Sequence, residues 1–331
     1  MFKSDVLKSR VLDLYNQASS KDELILEIFQ YQISNNPILR SFVDKTGRNT
    51  KPTTISELSF LPISFFKTHE IKTGIWKEQA IFKSSGTTGL STSRHFVKDL
   101  EWYQNIATMI FQNHVSELAE VLILGLLPHY LERGDSSLVY MVKSFMDSTD
   151  QAPAFYLDDF EGIIHLLQAQ KKARKKTILF GVSYALLDLA EGNNIDDPRL
   201  TIIETGGMKG RKKEMVRTEL HAEISKGFPS SPIYSEYGMT ELLSQSYARG
   251  NEFKLPKTLE VFISELNDPF QEQVKGKTGR INVIDLANID TCSFISTDDL
   301  GRMTGDQSFE VLGRIDNSLF RGCNLLYTPR A

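Results

Sequence analysis

The sequence is poor in cysteine, has no long apolar run and carries no large excess of charge of either sign. Two cysteines, Cys292 and Cys323, are too few for a disulfide framework, so a reducing cytoplasm is the expected location. No stretch reaches the roughly 18 apolar residues of a membrane helix, and residues 1–30 lack the apolar segment of a signal peptide. The net charge of −4 gives no basic field for nucleic acid. We therefore expect neither a membrane span nor a nucleic-acid partner.

The apolar pattern predicts two regions in a chain of 331 residues, of which 40% are hydrophobic. Apolar residues spaced three and four apart predict helices within residues 1–45. From residue 78 onward strands alternate with helices, and strands predominate beyond residue 230, which predicts an α/β protein with a more antiparallel last third. The helices predicted there cover 99–115, 136–146, 160–169 and 209–225. The predicted strands cover 79–83, 121–127, 177–180, 200–204, 259–266, 279–286, 293–297 and 309–313. We assign a helical segment to 1–55, packed on one large domain over 56–331.

A loop rich in glycine and hydroxyl side chains follows the strand predicted at 79–83. It consists of Ser84, Ser85, Gly86, Thr87, Thr88 and Gly89. Its glycines allow a tight turn, and its hydroxyl and backbone N–H groups can surround a phosphate. No Gly-Lys-Ser/Thr follows, so the loop is not a Walker A motif. A flexible surface turn has the same composition, and the loop alone does not decide between the two.

An aromatic ring, a glycine, a hydroxyl and a carboxylate lie close together in the segment 233–241. Tyr237 beside Gly238 can stack on a flat base. Thr240 can bond a phosphate, and Glu241 can hold Mg²⁺ through oxygen. The alternative is a strand followed by a glycine turn and a helix capped by Thr240.

Two further segments, 296–302 and 312–317, combine carboxylates with arginine. Either Asp298 or Asp299 could accept hydrogen bonds from both hydroxyls of a ribose. Arg314 could pair with a phosphate or a ribose oxygen. A charged hairpin turn and a surface turn with salt bridges are the alternatives.

The order of these four motifs resembles that of the adenylate-forming superfamily, which includes acyl-CoA synthetases, nonribosomal adenylation domains and luciferases. Further stretches are similar to the LuxE-like acyl-protein synthetases of the bacterial fatty-acid reductase system; they are residues 61–63 with 66–69, the loop 84–89 followed by 93–95, and residues 127–134, 205–211 and 321–325. The resemblance implies the large N-terminal-type domain of these enzymes, with layered mixed sheets and flanking helices. Because the sequence ends at Ala331, soon after the fourth motif, we expect the C-terminal lid domain to be absent.

The resemblance also implies a role for each matching residue. The loop of residues 84–89 would grip the β- and γ-phosphates of ATP, and Thr240 would contact the α-phosphate. Asp299, rather than Asp298, would hold the ribose, and Glu241 would bind Mg²⁺. The adenine side of the site would comprise Gly206, Gly207, Met208, Tyr237 and Gly238.

Three residues are implied in the chemistry itself. His129 would lie beside the acyl carboxylate, and Arg314 at the ribose or a phosphate. Cys323 would receive the acyl group as a thioester, since the neighbouring Arg321 favours its thiolate. A structural histidine and a small buried thiol are the alternatives for His129 and Cys323. Cys292 begins an apolar strand and is expected to be structural.

The implied function is activation of a carboxylic acid, by resemblance a fatty acid, as its acyl-adenylate, with ATP and Mg²⁺ as cofactors. The acyl group would then pass to Cys323 and on to an acyl-reductase partner or an acyl-carrier protein. Two alternatives stay open: a ligase or transferase that loads coenzyme A or a carrier protein, and a catalytically degenerate nucleotide-binding scaffold. The intact nucleotide motifs argue against the scaffold, and the expected absence of a lid argues for it.

Overall fold

The computed structural model describes residues 3–16, 20–84, 92–127, 134–149, 154–156, 159–206 and 215–315. Its helices are α1 (Ser4–Asp13), α2 (Lys21–Asn35), α3 (Pro37–Lys45), α4 (Phe65–Thr68), α5 (Leu100–His114), α6 (Ser137–Asp147), α7 (Phe160–Ala173), α8 (Ser183–Ala190) and α9 (Arg217–Gly227), with short 3₁₀ turns at Ile55–Glu57 and Leu118–Glu120. Its strands are β1 (Leu61–Pro62), β2 (Ala80–Lys83), β3 (Arg94–Val97), β4 (Val121–Leu126), β5 (Ala154–Tyr156), β6 (Lys176–Val182), β7 (Leu200–Thr205), β8 (Ile233–Tyr237), β9 (Ser246–Ala248), β10 (Glu252–Lys254), β11 (Leu259–Ser264), β12 (Gly279–Asp285), β13 (Phe294–Gly305) and β14 (Ser308–Arg314).

One mixed sheet organises the described part of the chain. Its strand order is β11-β12-β13-β14-β10-β9-β8-β7-β6-β4-β5, and β1 pairs in parallel with β13. The strands from β4 to β8 are parallel to their neighbours, whereas those from β8 through β14 to β11 pair in antiparallel fashion. The prediction of an α/β fold with an antiparallel last third is therefore confirmed.

The carboxyl ends of the parallel strands meet at one edge of this sheet. Strands β4, β6 and β7 end at Leu126, Val182 and Thr205, and β8 ends at Tyr237. Helices cover these strands, which explains why every residue of β4 is buried. In open sheets of this kind, ligands bind outside the carboxyl ends of the strands.

An aromatic core holds helices α5 and α6 against the sheet. The ring of Phe111 lies 4.7 Å from Phe145 and 6.0 Å from Phe180, measured between ring centroids. Tyr247 of β9 approaches Phe111 edge-on at 5.9 Å. Asp99 caps α5 by accepting a hydrogen bond from the backbone N–H of Trp102 at 2.9 Å. This packing fixes α5 and α6 on the sheet.

The N-terminal helices are anchored to a loop that precedes β13. The side-chain amide of Gln32 donates to the carbonyl oxygens of Asn288 and Ile289 at 3.1 and 2.9 Å. The hydroxyl of Ser4 donates to Asp290 at 2.7 Å. Most of the apolar residues that predicted these helices are buried, among them Leu7, Val11, Leu24, Ile28 and Phe29, whereas Val6 and Leu12 are exposed. None of the described helices is long and apolar enough to cross a bilayer.

The hairpin of β2 and β3 forms a second, two-stranded sheet. It is closed beyond Lys83 and Arg94 by Ser84 and Ser93: the N–H of Ser84 donates to the carbonyl oxygen of Ser93 at 3.1 Å, and the N–H of Ser93 donates to the hydroxyl of Ser84 at 3.0 Å. Neither β2 nor β3 pairs with a strand of the large sheet, so side-chain contacts must hold the hairpin against that sheet.

One predicted helix differs from the structure at its start. The charged pattern predicted a helix over 209–225, but α9 begins at Arg217. Met215 is not helical, and Val216 has the extended angles φ −70° and ψ 150°. The remaining first residues of that prediction, 209–214, lie outside the described residues.

Candidate functional site

The predicted site residues divide into two groups. The structure describes Ser84, Gly206, Tyr237, Gly238, Thr240, Glu241, Asp299 and Arg314. Outside the described residues lie Ser85, Gly86, Thr87, Thr88, Gly89, His129, Gly207, Met208 and Cys323. The geometry below concerns the first group.

Tyr237, Asp299 and Arg314 form a connected chain of polar contacts. The phenol of Tyr237 donates to Oδ2 of Asp299 at 2.9 Å. On the other side, Nε of Arg314 lies 3.4 Å from Oδ1 of Asp299, because the two residues face each other across β13 and β14. Burial raises the pKa of Asp299, although Arg314 and Tyr237 act in the opposite direction. The second, third and fourth sequence motifs therefore meet in one place.

The ring of Tyr237 packs against two other aromatic rings. Its centroid lies 5.6 Å from that of Phe253 and 5.4 Å from that of Phe309, which it meets edge-on. The residue is 8% exposed, so only a small part of its surface is available to a ligand. Stacking of an adenine on this ring stays a prediction.

Glu241 is a buried carboxyl in the turn that follows β8. It is 4% exposed, and burial raises the pKa of its carboxyl, while a hydrogen bond from the Ser93 hydroxyl and the charges of Arg314 and Lys67 oppose that rise. Among the described residues, no group of three or more His, Cys, Asp or Glu side chains could form an all-protein metal site. Magnesium is commonly bound by one or two carboxylates together with substrate phosphates, so a single buried carboxylate fits a nucleotide-bound Mg²⁺.

A buried polar network supports the turn at Gly206. The hydroxyl of Ser183 lies 3.0 Å from the carboxylate of Glu204 and 3.1 Å from the carbonyl oxygen of Gly206. The hydroxyl of Ser235 donates to the same carboxylate at 2.5 Å, and Nε2 of His221 lies 3.0 Å from that hydroxyl. Gly206 has φ +73°, a left-handed angle that favours glycine. The network holds this turn at the carboxyl ends of β6, β7 and β8.

Glu236 lies on the opposite face of β8 from Ser235. Its carboxylate accepts a hydrogen bond from the hydroxyl of Thr205 at 2.5 Å. A Cβ atom on Gly238 would lie 2.2 Å from the other oxygen of Glu236, so glycine permits this close approach. Burial raises the pKa of Glu236 to about 7. A carboxyl that titrates near neutral pH thus lies next to the proposed adenine residue, Tyr237.

Replacing Glu236 with glutamine is expected to remove a pH-dependent loss of stability. The ordinary pKa is 4.5 and the folded value about 7, so between these pH values the folded protein holds a proton that the unfolded chain releases. The wild-type free energy of unfolding should therefore fall relative to that of Glu236→Gln as pH rises through this window. We expect a fall of about 2 kcal/mol, which is less than the pKa difference alone would give, because part of Glu236 remains exposed. Urea unfolding of both proteins at pH 5, 6, 7 and 8 measures the difference. A difference that does not change with pH would contradict the assignment, and Glu252→Gln on an exposed strand is the control.

Sequence reasoning missed several groups that the structure brings to this edge. Lys67 is exposed on α4, forms no ion pair with any described residue, and is close enough to Glu241 for its charge to favour the ionised carboxylate. Ser183, Glu204 and Ser235 are also absent from the predicted site. Their only signal in the sequence is a polar side chain at the end of an apolar strand.

The chain matches no protein-family model and no curated protein sequence. Its fold is similar to several solved structures. A 2-hydroxyisobutyryl-CoA ligase in complex with 2-HIB-AMP and CoA gives a TM-score of 0.65 at 12% identity, over 89% of this chain and 70% of that chain. ATP-bound MatB from Rhodopseudomonas palustris gives 0.53 at 18% identity, over 71% and 48%. The luciferase-like enzyme from the nonluminescent mealworm Zophobas morio gives 0.50 at 18% identity, over 81% and 61%.

At these identities the likeness shows the fold. The chain has the mixed sheet and flanking helices of the N-terminal domain of adenylate-forming enzymes, as the order of its motifs predicted. It spans 70% of the length of the ligase and about half that of MatB.

Proposed function

We propose that this chain belongs to the adenylate-forming superfamily and uses ATP and Mg²⁺ to convert a carboxylic acid into its acyl-adenylate. One observation carries the proposal: at the carboxyl ends of the parallel strands, Tyr237, Asp299, Arg314 and Glu241 converge with the base of the Ser84 loop. These are the residues that the motif order assigns to one nucleotide, and they come from four separate segments of the chain. Their convergence is difficult to explain as a set of unrelated turns.

In this proposal each described residue acts on one part of ATP. Asp299 accepts the ribose hydroxyls, while Thr240 and Ser84 contact phosphate. Glu241 would hold Mg²⁺, and the ion would supply positive charge for the departing pyrophosphate. The acyl carboxylate is ionised at pH 7 and needs no protein base. One of its oxygens forms a bond to the α-phosphorus as the bond to pyrophosphate breaks, and positioning with charge neutralisation supplies the catalysis.

The finer proposal is an acyl-protein synthetase that acts on fatty acids. It rests on the resemblance to that branch of residues 61–63 with 66–69, the loop 84–89 followed by 93–95, and residues 127–134, 205–211 and 321–325. His129 is proposed beside the acyl carboxylate and Arg314 at the phosphate or ribose. Cys323 is proposed as the first acyl acceptor, from which the acyl group would pass to a reductase or a carrier protein.

A second candidate is transfer of the acyl group to coenzyme A. The similar ligase structure contains 2-HIB-AMP and CoA, which favours this alternative for a chain of the same fold. Both candidates share the adenylate, and they differ only in the thiol that receives the acyl group.

The experiment that tests the shared step is acid-dependent exchange of labelled pyrophosphate into ATP. A panel of straight-chain fatty acids of increasing length, with short hydroxy acids and aromatic acids beside them, should reveal exchange that requires both an acid and Mg²⁺. Exchange would also exclude a degenerate scaffold. Absence of exchange with every acid in the panel would overturn the proposed function.

Retention of a labelled acyl group separates the two acceptors. With ATP and a labelled acid that supports exchange, the wild-type protein should become labelled, and Cys323→Ala should lose at least about nine-tenths of the label because the thioester cannot form. Cys292→Ala is the matched control: Cys292 is fully buried, and burial raises the pKa of its thiol to about 12, so it should not be acylated. Label that persists in Cys323→Ala would remove the cysteine from the pathway, and release of acyl-CoA instead would favour the second candidate.

A further inference from the structure

We propose that His95 and Asn288 form a bracket that positions the Thr240–Glu241 turn against the hairpin of β2 and β3, and so sets the distance between Ser84, at the end of β2, and the carboxylate of Glu241. The bracket consists of these two side chains and rests on the proposed function. Neither residue is assigned to nucleotide contact. Both are positioning residues, which act through Thr240 and Glu241.

The need for such a bracket follows from the sheet topology. The hairpin that carries Ser84 is not paired with the large sheet, whereas the turn at Thr240 follows directly from β8 of that sheet. In the proposed function, Ser84 and the Thr240–Glu241 turn must both lie next to the same triphosphate. An error of about 1 Å in such an arrangement can cost about a hundredfold in rate, so some contact must fix their separation.

The imidazole of His95 provides the first contact. It lies on β3, is 0% exposed, and its Nδ1 is 2.8 Å from the carbonyl oxygen of Thr240. A carbonyl oxygen can only accept, so Nδ1 carries the proton and donates it. The ring of Phe66 packs edge-on against the imidazole at 6.1 Å between centroids, which restricts its rotation.

Asn288 provides the second contact. Its amide nitrogen donates to the carbonyl oxygens of Glu241 at 2.8 Å and of Cys292 at 2.9 Å, which fixes the orientation of the amide. Its oxygen therefore faces Nε2 of His95 at 3.1 Å. Two consecutive carbonyl groups of the turn, those of Thr240 and Glu241, are thus held by two fully buried side chains that contact each other.

Both ring nitrogens of His95 face oxygen acceptors: Nδ1 faces the carbonyl of Thr240, and Nε2 faces the amide oxygen of Asn288. Burial lowers the pKa of His95 to about 4, whereas these two acceptors favour the protonated ring.

Four variants test the bracket by their kcat for pyrophosphate exchange, measured well below each melting temperature. His95→Leu removes both contacts and should lower kcat about a hundredfold. His95→Asn can keep a donor near the position of Nδ1 and should stay within about tenfold of wild type, whereas His95→Gln cannot reach Thr240 in the same way and should resemble His95→Leu. Gln32→Leu is the matched control, since it removes buried hydrogen bonds from the same 288–293 loop on the side of the N-terminal helices. It should lower the melting temperature as much as His95→Leu but kcat less than threefold.

Amide hydrogen exchange of the segment 236–245 is the second measurement, and it does not depend on activity. Faster exchange in His95→Leu but not in Gln32→Leu supports the bracket. Equal loss of kcat in the two variants, equal activity of His95→Asn and His95→Gln, or unchanged exchange in His95→Leu would overturn it. If the wild type itself shows no pyrophosphate exchange, the proposed function fails, and hydrogen exchange alone decides the bracket. If His95→Leu does not fold, the comparison of His95→Asn with His95→Gln decides.

Discussion

Replacing Glu241 with glutamine is expected to lower acid-dependent pyrophosphate exchange at least about a hundredfold while the protein stays folded. The carboxylate is buried, and the proposed function assigns it to a nucleotide-bound Mg²⁺ that would need its charge. Glutamine keeps the shape and one acceptor oxygen but not the charge. Loss of one preorganised charge contact typically costs two to three orders of magnitude in kcat.

The stability of Glu241→Gln distinguishes this loss from misfolding. Because burial raises the pKa of Glu241, the ionised carboxylate is less favourable in the folded protein than in the unfolded chain at pH 8. A neutral amide avoids that cost, so the free energy of unfolding should be unchanged or higher. Exchange rates at several Mg²⁺ concentrations, with circular dichroism melts, provide the measurement. Glu252→Gln, on an exposed strand, should change neither the exchange rate nor the melting temperature. Wild-type activity in Glu241→Gln would contradict the assignment of this carboxylate to the metal.

Asp299→Ala is expected to raise the KM for ATP about a hundredfold, whereas Asp298→Ala should change it less than threefold. Hydrogen bonds to a charged acceptor contribute about 1.5–3 kcal/mol each, and the ribose offers two hydroxyls, so a loss of about 3 kcal/mol is a modest expectation. The Asp299 side chain is 12% exposed and contacts Tyr237, while that of Asp298 is 41% exposed and pairs with Arg280 at 3.2 Å. The two neighbouring side chains thus differ in environment, and they point to opposite faces of β13.

Tyr237→Phe controls for the hydroxyl that Asp299→Ala leaves without its acceptor. It removes the phenol and keeps the ring, so the KM for ATP should rise less than threefold if the ribose contact is the main effect. Calorimetric titration with ATP checks that KM follows affinity. A larger effect at Asp298 than at Asp299 would transfer the ribose role to Asp298, and equal effects of Tyr237→Phe and Asp299→Ala would indicate a structural contribution alone.

Local patterns were sufficient for most helices and for the central strands, because burial on both faces leaves an uninterrupted apolar run such as Val121–Leu126. They were insufficient where pairing partners decide the conformation. The acidic segment 296–302 has the composition of a hairpin turn, yet it lies within β13, because β12 and β14 pair with it on either side. The strand order from β8 to β14 likewise depends on contacts between distant segments, which no local pattern encodes.

In the candidate site, too, some residues could be named from the sequence and others only from the structure. Tyr237, Glu241, Asp299 and Arg314 could be named from the sequence because they stand in ordered motifs. His95 could not be given a role, since a single buried histidine has no local signature. Its proposed role follows only from the structure, in which Thr240, distant in sequence, lies 2.8 Å away. The residues proposed to touch a ligand could therefore be named from the sequence, whereas the residue proposed to hold them in position could not.

The attachment of the N-terminal helices also bears on how the protein is made. Gln32 contacts Asn288 across 256 residues of sequence, and Ser4 contacts Asp290 across 286. These contacts cannot form until residues 288–290 have left the ribosome. Until then the apolar faces of α1 and α2 lack their final partner, and such surfaces are prone to association with other nascent chains. Helices α1 and α2 are therefore made well before the segment that completes their native contacts.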